Sequence, residues 1–313
     1  MFRYILRRIG MLIPILFLVS VVVFLMLRLA KGDPAMAYLR LSNIPPTTEA
    51  LEEARYLLGL DLPVWEQYLR WIGKALQGDF GVSWVTGNPV LGEILYYLPA
   101  TLKLTAAALF LTLALSIPLG VLAALRKDGP IDHVTRAFAF VGVSMPSFWF
   151  AYLLIFVFAV TFKLLPPMGM GGVSHIIMPA MALALMSTAI NIRFLRANML
   201  ENMHARSVLY ARARGLSERR VIWGHVFRNS LVPVVTSIGM HLGELIGGAV
   251  VVEMVFAWPG VGRYAVMAIY NRDFPILQCF LLVMTSIFVL CNLLVDILYA
   301  WIDPRIRLQG DRS

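Results

Sequence analysis

The sequence predicts an all-α polytopic membrane protein with six transmembrane helices. Of its 313 residues, 59% are hydrophobic and only 14% are charged, whereas about a quarter of the residues in a soluble domain are charged. Apolar runs of about 20 residues, the length that crosses about 30 Å of hydrocarbon, recur along the chain. Residues that face lipid must also be apolar, so this composition excludes ordinary aqueous packing. The predicted spans cover residues 9–29, 100–125, 138–162, 177–199, 230–256 and 276–301.

The first apolar run is predicted to be a retained membrane anchor. Arg3, Arg7 and Arg8 precede it, as basic residues precede the apolar part of a signal peptide. However, the run from Ile9 to Leu27 is longer than that part of a signal peptide, and no small-x-small cleavage pattern follows it. We therefore expect this run to remain in the protein as its first span.

The basic residues indicate how the spans are oriented. If the N-terminus is inside, most of the 27 lysines and arginines fall in the inside segments, although the outside segments are longer. Basic residues favour the cytoplasmic side of a membrane, so both termini are predicted to be cytoplasmic. The net charge of +9 therefore reflects topology, and no nucleic-acid partner is expected.

The predicted spans divide the chain into four parts. Residues 1–30 contain the cytoplasmic N-terminal end and the first span, and residues 31–98 form an external, periplasmic helical segment. Residues 99–301 form a core of five transmembrane helices, which includes a polar cytoplasmic loop at 200–229. Residues 302–313 form a cytoplasmic tail.

Residues 31–98 are predicted to contain short helices. One follows the residues Pro45, Pro46, Thr47 and Thr48 and stops at Gly59. A second has Asp61 as its N-cap and Pro63 in its first turn. Gly78 is expected to end the second helix. Four residues of this helix share one face: Val64, Tyr68, Trp71 and Ala75. This segment can be a packed cap on the outer surface, a docking platform for a partner, or both.

The loop at 200–229 is too polar to cross a membrane and is predicted to form a basic helix–turn–helix. Gly215 is expected to end its first helix. Ser217 is expected to cap the second helix, which places Glu218 in the first turn near the positive end of the helix dipole. We expect this hairpin to lie beneath the membrane.

Motifs for energy conversion or covalent catalysis are absent from the sequence. No G-x-x-x-x-G-K-[ST] loop is present, because Gly73-Lys74 lacks both the upstream glycine and the following hydroxyl. No G-x-S-x-G or H-E-x-x-H motif is present either. An intramembrane enzyme would need such a set, and a passive channel would not need the basic hairpin. A transport subunit driven by a partner fits best.

The hairpin sequence YARARGLSERRVIWGHVFRNSLVP resembles the cytoplasmic coupling loop of ABC importer permeases, whose pattern is roughly E-A-A-x3-G-x9-I-x-L-P. Ala211 and Gly215 match its second alanine and its glycine. Leu209, Tyr210 and Arg228 depart from this pattern. They agree with the peptide/nickel branch of the family, which reads A-R-A-x-G-L and H-x-x-R-N here.

The resemblance extends over the whole chain, through LRRIG, GDFGVSW, LPATLKLT, SMPSFW, FAWPGVGRYAV and NLLVDILYAWIDPRIR. It implies a bacterial inner-membrane permease that pairs with a second, homologous permease. Two cytoplasmic ATPases would dock on the coupling loops, and a periplasmic binding protein would deliver the solute. The chain itself would bind no cofactor, since ATP and Mg²⁺ belong to the ATPases. The residues implied in ATPase coupling are Ala211, Arg212, Ala213, Arg214, Gly215, Leu216 and Ser217.

Ionisable residues in the fifth predicted span are candidates for the solute pathway, because charges are costly inside a membrane. His241, Glu244 and Glu253 lie there, and His241 and Glu244 share one helix face. An imidazole and a carboxylate suit a transition metal such as nickel, which they would contact transiently. Alternatively, they hydrogen-bond to each other or to the partner permease, and Glu253 serves packing or gating near the outer mouth.

The transported solute is expected to be nickel, carried as a small chelate. GMHLGELIGG, YLRLSNIPPT and MGMGG resemble the nickel-import permease, and peptide permeases usually lack the pair of His241 and Glu244. The alternative is a dipeptide or oligopeptide importer with the same architecture. Competition between labelled nickel and peptides distinguishes the two.

Overall fold

The computed structural model describes the backbone of residues 2–29 and 32–302. Within these ranges, the side chains of residues 2–9, 27, 232–233, 235–242, 296 and 298–302 are not described. The described chain is almost entirely helical; its only β-type pairing is an isolated bridge between Val82 and Pro89. The predicted tail at 302–313 lies almost wholly outside the described residues.

The helices of the described chain are numbered here in chain order. They are α1 (Phe2–Leu29), α2 (Pro34–Leu41), α3 (Thr48–Leu57), α4 (Val64–Ala75), α5 (Val90–Leu125), α6 (Pro130–Ser144), α7 (Ser147–Leu154), α8 (Val173–Met203), α9 (Arg206–Ala213), α10 (Glu218–Val221), α11 (Arg228–Val255), α12 (Val261–Asn271) and α13 (Phe274–Ile302). Two π-helical stretches, Ile155–Thr161 and Ile222–Phe227, continue α7 and α10.

All six predicted spans fall on helices, which confirms the all-α polytopic fold. Among the described residues, α5, α8 and the Phe274–Val295 part of α13 are long and apolar enough to cross a membrane. The third predicted span falls on α6 and α7, and the fifth falls on α11. The first falls on α1, whose apolar part with described side chains is Gly10–Met26.

The third span is broken, whereas a single helix over 138–162 was expected. α6 and the helix that begins at Ser147 meet at an angle of 111°. Met145 adopts an extended conformation, with φ −91° and ψ 122°. The cause is Pro146, since a proline ring disfavours helical geometry in the residue before it and has no N–H to continue the hydrogen-bond ladder.

Two compact units divide the chain, and each is described by itself. The first contains residues 2–101 and 259–289, and the second contains residues 102–258 and 290–302. Both α5 and α13 pass from one unit into the other along the chain.

In the first unit, the start of α5 packs with α12 and the start of α13. The buried residues of this core are Val90, Ile94, Val261, Ala268, Ile276, Leu277 and Cys279. A smaller core of Ala35, Leu39 and Ala54 joins α2 to α3. Asp33 strengthens that junction: one carboxylate oxygen accepts from the amide of Ala35 at 2.9 Å, and the other accepts from Arg55 at 2.8 Å.

The N-terminal ends of α3 and α4 are stabilised by different side chains, and the helix of Thr48 begins one residue earlier than predicted. Thr47 caps α3, since its hydroxyl accepts from the amide of Ala50 at 3.2 Å. Asp61 does not cap α4, because Pro63 occupies the N-cap position. The turn before α4 is held instead by Gln67, whose side-chain amide donates to the carbonyl oxygens of Leu60 at 3.3 Å and Leu62 at 2.7 Å.

In the second unit, α8 lies at the centre and packs against α6, α7 and α11. The contact between α6 and α8 is close at Gly142, where an added Cβ atom would lie 2.9 Å from the Cβ of Ala189. Small residues of this kind let transmembrane helices approach each other closely.

Candidate functional site

The predicted cytoplasmic hairpin is present as α9, a turn and α10. Gly215 follows the end of α9 as expected, with a φ of +78°. Its amide donates to the carbonyl oxygen of Arg212 at 2.9 Å, and the amide of Leu216 donates to that of Ala211 at 3.2 Å. Ser217 occupies the N-cap position of α10, but its hydroxyl makes no capping hydrogen bond. Glu218 lies in the first turn of α10, as predicted.

An ion pair closes the turn between α9 and α10. Two nitrogens of Arg212 donate to the two carboxylate oxygens of Glu218, at 2.6 and 3.2 Å. This hydrogen bonding lowers the pKa of Glu218 and raises the pKa of Arg212. Both side chains are well exposed, so solvent and salt screen the pair, and its effect is local.

One face of the hairpin is anchored in the second unit. Its buried residues pack against residues of α5, α8 and α11 in a single core, made of Val121, Ala124, Leu195, Met199, Val208, Ala211, Val221, Val226 and Val234. Ala211, one of the residues implied in ATPase coupling, therefore faces this core. Arg212, Ala213, Arg214 and Gly215 are exposed, as is Ser217, whereas Leu216 is half-buried.

An open groove of about 790 Å³ lies beside the turn. Leu216, Ser217, Arg219, Arg220, Trp223, Gly224 and His225 line it. Trp223 is half-exposed and stacks edge-on against Phe227, with ring centroids 5.0 Å apart. The groove therefore combines two arginines with an aromatic surface, a composition that is enriched in protein–protein interfaces. Sequence reasoning did not single out Trp223, although a tryptophan in so polar a loop was a usable signal.

A buried ion pair in the second unit was also not predicted from the sequence. Asp132, in the first turn of α6, has a fully buried side chain, and Arg196 of α8 is 19% exposed. The Arg196 guanidinium donates to both carboxylate oxygens, at 2.6 and 2.7 Å. The amide of Asp128 donates to the same carboxylate at 2.9 Å. This pair joins the start of α6 to α8.

The three predicted pathway residues occupy different positions along α11. The side chain of His241 lies outside the described residues, so its predicted partnership with Glu244 remains a prediction. Glu244 is exposed, whereas Glu253 is completely buried. Nine residues of helix separate the two acids by about 13 Å along its axis. Among the residues described, no group of three or more His, Cys, Asp or Glu side chains is placed to hold a metal ion.

Comparison with known proteins defines the class. The family model for the binding-protein-dependent transport system inner membrane component matches residues 116–308. The model for the N-terminal part of such membrane components matches residues 1–105. The chain therefore belongs to the family of binding-protein-dependent transport system inner membrane components, and it is a transport subunit.

Individual relatives cover the whole chain. The di/tripeptide transport system permease protein DppB of Pseudomonas aeruginosa (strain UCBPP-PA14) is 36% identical over 337 residues, which cover 99% of this chain and 100% of that protein. The glutathione transport system permease protein GsiC of Escherichia coli (strain K12) is 38% identical over 309 residues, which cover 99% of this chain and 100% of that protein. These relatives are permeases for peptides or glutathione, and they do not support the nickel interpretation.

The fold is also found in a solved transporter. The fold resembles an inward-facing structure of the MetNI methionine ABC transporter, with a TM-score of 0.56. The superposition covers 67% of this chain and 96% of the transporter chain. The sequence identity is only 16%, so this likeness concerns the fold alone.

The ion pair of the hairpin leads to a pH-dependent prediction. The pKa of Glu218 is lowered in the folded chain. The ion pair therefore contributes its full stabilisation at pH values above 4.5, the ordinary pKa of the carboxyl group. This stabilisation is lost as the pH falls through the lowered pKa of the folded chain. At neutral pH, Glu218→Gln should therefore speed amide hydrogen exchange in residues 206–221. After correction for intrinsic exchange, the difference should shrink as the pH falls and as salt is added.

Glu201→Gln is the matched control for this measurement, since it removes one exposed carboxylate at the end of α8 and leaves the pair intact. Equal exchange in the Glu218→Gln variant and the unaltered chain at neutral pH and low salt would contradict a stabilising role for the pair.

Proposed function

We propose that this chain is the transmembrane permease subunit of an ABC importer that carries small peptides across the bacterial inner membrane. The observation that carries the proposal is identity of 36–38% to the di/tripeptide and glutathione permeases over 99% of the chain. The first prediction from sequence, nickel transport, gives way here to its stated alternative, a dipeptide or oligopeptide importer.

The proposal includes the partners that such a subunit needs. Two cytoplasmic ATPases, which bind ATP and Mg²⁺, dock on the exposed part of the hairpin and on the groove around Trp223. A second, homologous permease completes the membrane pathway, and a periplasmic binding protein delivers the peptide. In this arrangement both termini are cytoplasmic, in agreement with the distribution of basic residues.

The hairpin is built to pass a rigid motion from the ATPases to the spans. Val208 and Ala211 of α9 and Val221 and Val226 beyond the turn are buried against α5 and α8. The π-helical stretch Ile222–Phe227 continues from α10 directly into α11. A displacement of the hairpin therefore moves packed helices with it, as alternating access requires.

Uptake by cells that lack their own peptide importers tests the proposed solute. The chain is produced together with the partner subunits from its own genome, and a radiolabelled dipeptide and labelled nickel are supplied separately and in competition. We expect dipeptide uptake that depends on ATP and that excess nickel does not reduce. Nickel uptake that persists in excess dipeptide would restore the nickel interpretation.

The same assay tests the pathway residues. We compare His241→Ala and Glu244→Ala, at matched protein levels, with Glu201→Ala as a control outside the predicted spans. If His241 and Glu244 line the pathway, uptake falls in both pathway variants and not in the control. Unchanged uptake in both would remove these two residues from the pathway.

A further inference from the structure

Helix α4 has an apolar surface that its own unit covers only in part. At 3.6 residues per turn, Tyr68 and Trp71 point toward one side of α4, on the face predicted to be apolar. This side packs on α1: the Tyr68 ring lies edge-on to Phe17 and Phe24, and the Trp71 ring lies 5.7 Å from Phe24. The Tyr68 and Ser20 hydroxyls are 2.8 Å apart, within hydrogen-bonding distance.

A second apolar arc runs along α4 to Leu76, the residue directly after its end, and most of this arc is uncovered, with only Ile72 half-buried. Trp65, Leu69, Ile72 and Leu76 fall within about 60° of one another around the helix. Trp65 is 65% exposed, Leu69 is 56% exposed and Leu76 is 83% exposed. Charged residues occupy the opposite side, where Arg70 pairs with Glu66 at 2.8 Å. Helix α4 is therefore strongly amphipathic, and only part of its apolar side faces protein.

The contact with α1 fixes the depth of α4. Ser20 lies near the middle of the apolar run of α1, eight residues or about 12 Å before Arg28 at its far end. The half-thickness of the hydrocarbon layer is about 15 Å. A helix whose tyrosine reaches Ser20 and Phe17 therefore lies at the level of the acyl chains, even though it belongs to a segment expected to be external.

We propose that α4 is embedded in one leaflet of the bilayer, where Trp65, Leu69, Ile72 and Leu76 contact lipid acyl chains. Helix α1, on which α4 packs, also has exposed apolar residues, among them Ile13, Leu18 and Met26. The charged side of α4, with Arg70 and Lys74, faces the headgroup region, since long basic side chains reach toward the interface. The segment between α1 and α5 is thus anchored in lipid by α4, and α2 and α3 extend from that anchor.

Site-directed spin labelling tests this assignment in the full chain, assembled with its partner subunits in lipid nanodiscs. Cysteines are introduced by Leu69→Cys and Leu76→Cys in a background with Cys279→Ala and Cys291→Ala. Glu53→Cys on the exposed surface of α3 is the control. Accessibility to oxygen, which partitions into lipid, is compared with accessibility to chromium oxalate, which remains in water. We expect the ratio to be several-fold higher at Leu69 and Leu76 than at Glu53.

A conservative substitution provides an independent measurement if a label disturbs the fold. Trp65→Phe removes one half-exposed indole, and Trp223→Phe removes a similarly exposed indole from the hairpin groove. With lipids brominated along their acyl chains, Trp65→Phe should lower the quenchable part of the tryptophan fluorescence, and Trp223→Phe should leave it unchanged.

The outcomes separate the possible environments of α4. High access to oxygen with low access to chromium oxalate, together with bromolipid quenching of Trp65, supports the lipid contact. High access to chromium oxalate at Leu69 and Leu76 would overturn it in favour of a cap in water. Low access to both reagents would overturn it in favour of burial against another protein, such as the second permease.

Discussion

Replacing Gly215 by proline is expected to abolish ATP-driven uptake while leaving the amount of membrane-inserted chain unchanged. Gly215 has a φ of +78°, and its amide donates to the carbonyl oxygen of Arg212 at 2.9 Å. Proline cannot adopt a positive φ and has no N–H to donate. The turn between α9 and α10 must therefore open, and the exposed hairpin loses the shape on which the proposed ATPase contact depends.

Graded substitutions at the same position separate backbone strain from loss of a specific contact. A Cβ atom added at Gly215 would have open space around it, with no described atom beyond the adjacent residues within 4 Å. Within this chain, a small side chain at Gly215 therefore acts through the backbone conformation and not through a clash. Asparagine tolerates the left-handed conformation better than other residues, whereas alanine or valine incurs about 1–2 kcal/mol. We expect uptake to be highest in Gly215→Asn, lower in Gly215→Ala and Gly215→Val, in that order, and lowest in Gly215→Pro. Normal ATP-driven uptake by the proline variant would contradict the coupling role.

Removing the Asp132 carboxylate is expected to have the largest effect on stability. Asp132→Ala leaves Arg196 without its partner in a largely buried position, and breaking a buried pair in this way costs about 3–5 kcal/mol. The junction of α6 with α8 then weakens. The measurements are the amount of chain in the membrane fraction and its temperature of aggregation in detergent.

Two further variants make this prediction specific. Arg193→Met removes an exposed arginine one turn earlier on α8, and it should change stability little. The double variant Asp132→Leu with Arg196→Met removes both charges, so it should recover part of the stability lost in Asp132→Ala. If Asp132→Ala behaves like Arg193→Met, the pair does not hold α6 and α8 together.

Hydropathy and local signals were sufficient to predict most of the helices. Long apolar runs allow only helices or closed barrels in lipid, and the positions of the spans follow from that constraint. Gly215 was predicted correctly as the end of a helix, because that role depends on near neighbours in the chain. The break at Pro146 could have been predicted from the same kind of local chemistry, but the apolar run on both sides of the proline obscured it.

Features that depend on contacts between distant residues could not be predicted. The sequence separates Asp132 from Arg196 by 64 residues, and no local pattern indicates their pairing. The packing of α4 on α1 likewise joins two segments that composition places in different environments. The prediction that Asp61 caps α4 was wrong for a local reason: Gln67 holds the turn before α4 from within the helix, so a capping side chain is not needed there.

The prediction of nickel transport shows the limit of reasoning from a pair of residues. His241 and Glu244 supply suitable donor atoms, but two donors on one helix face specify no coordination geometry and are equally suited to hydrogen bonding. Similarity over the full length of the chain carries more information than the pair, and it favours peptides.

The break at Pro146 has a consequence for where solvent can enter the membrane domain. At the elbow, backbone amides and carbonyls leave the helical ladder, and hydrocarbon offers them no hydrogen-bonding partner. The elbow adjoins a cavity of about 310 Å³ that is lined by residues 143–147 of α6 and α7 and by Ala182, Leu183, Leu185 and Met186 of α8. That volume corresponds to roughly ten water molecules at about 30 Å³ each. Water that enters this space would supply the elbow's polar atoms with the hydrogen-bonding partners that acyl chains lack.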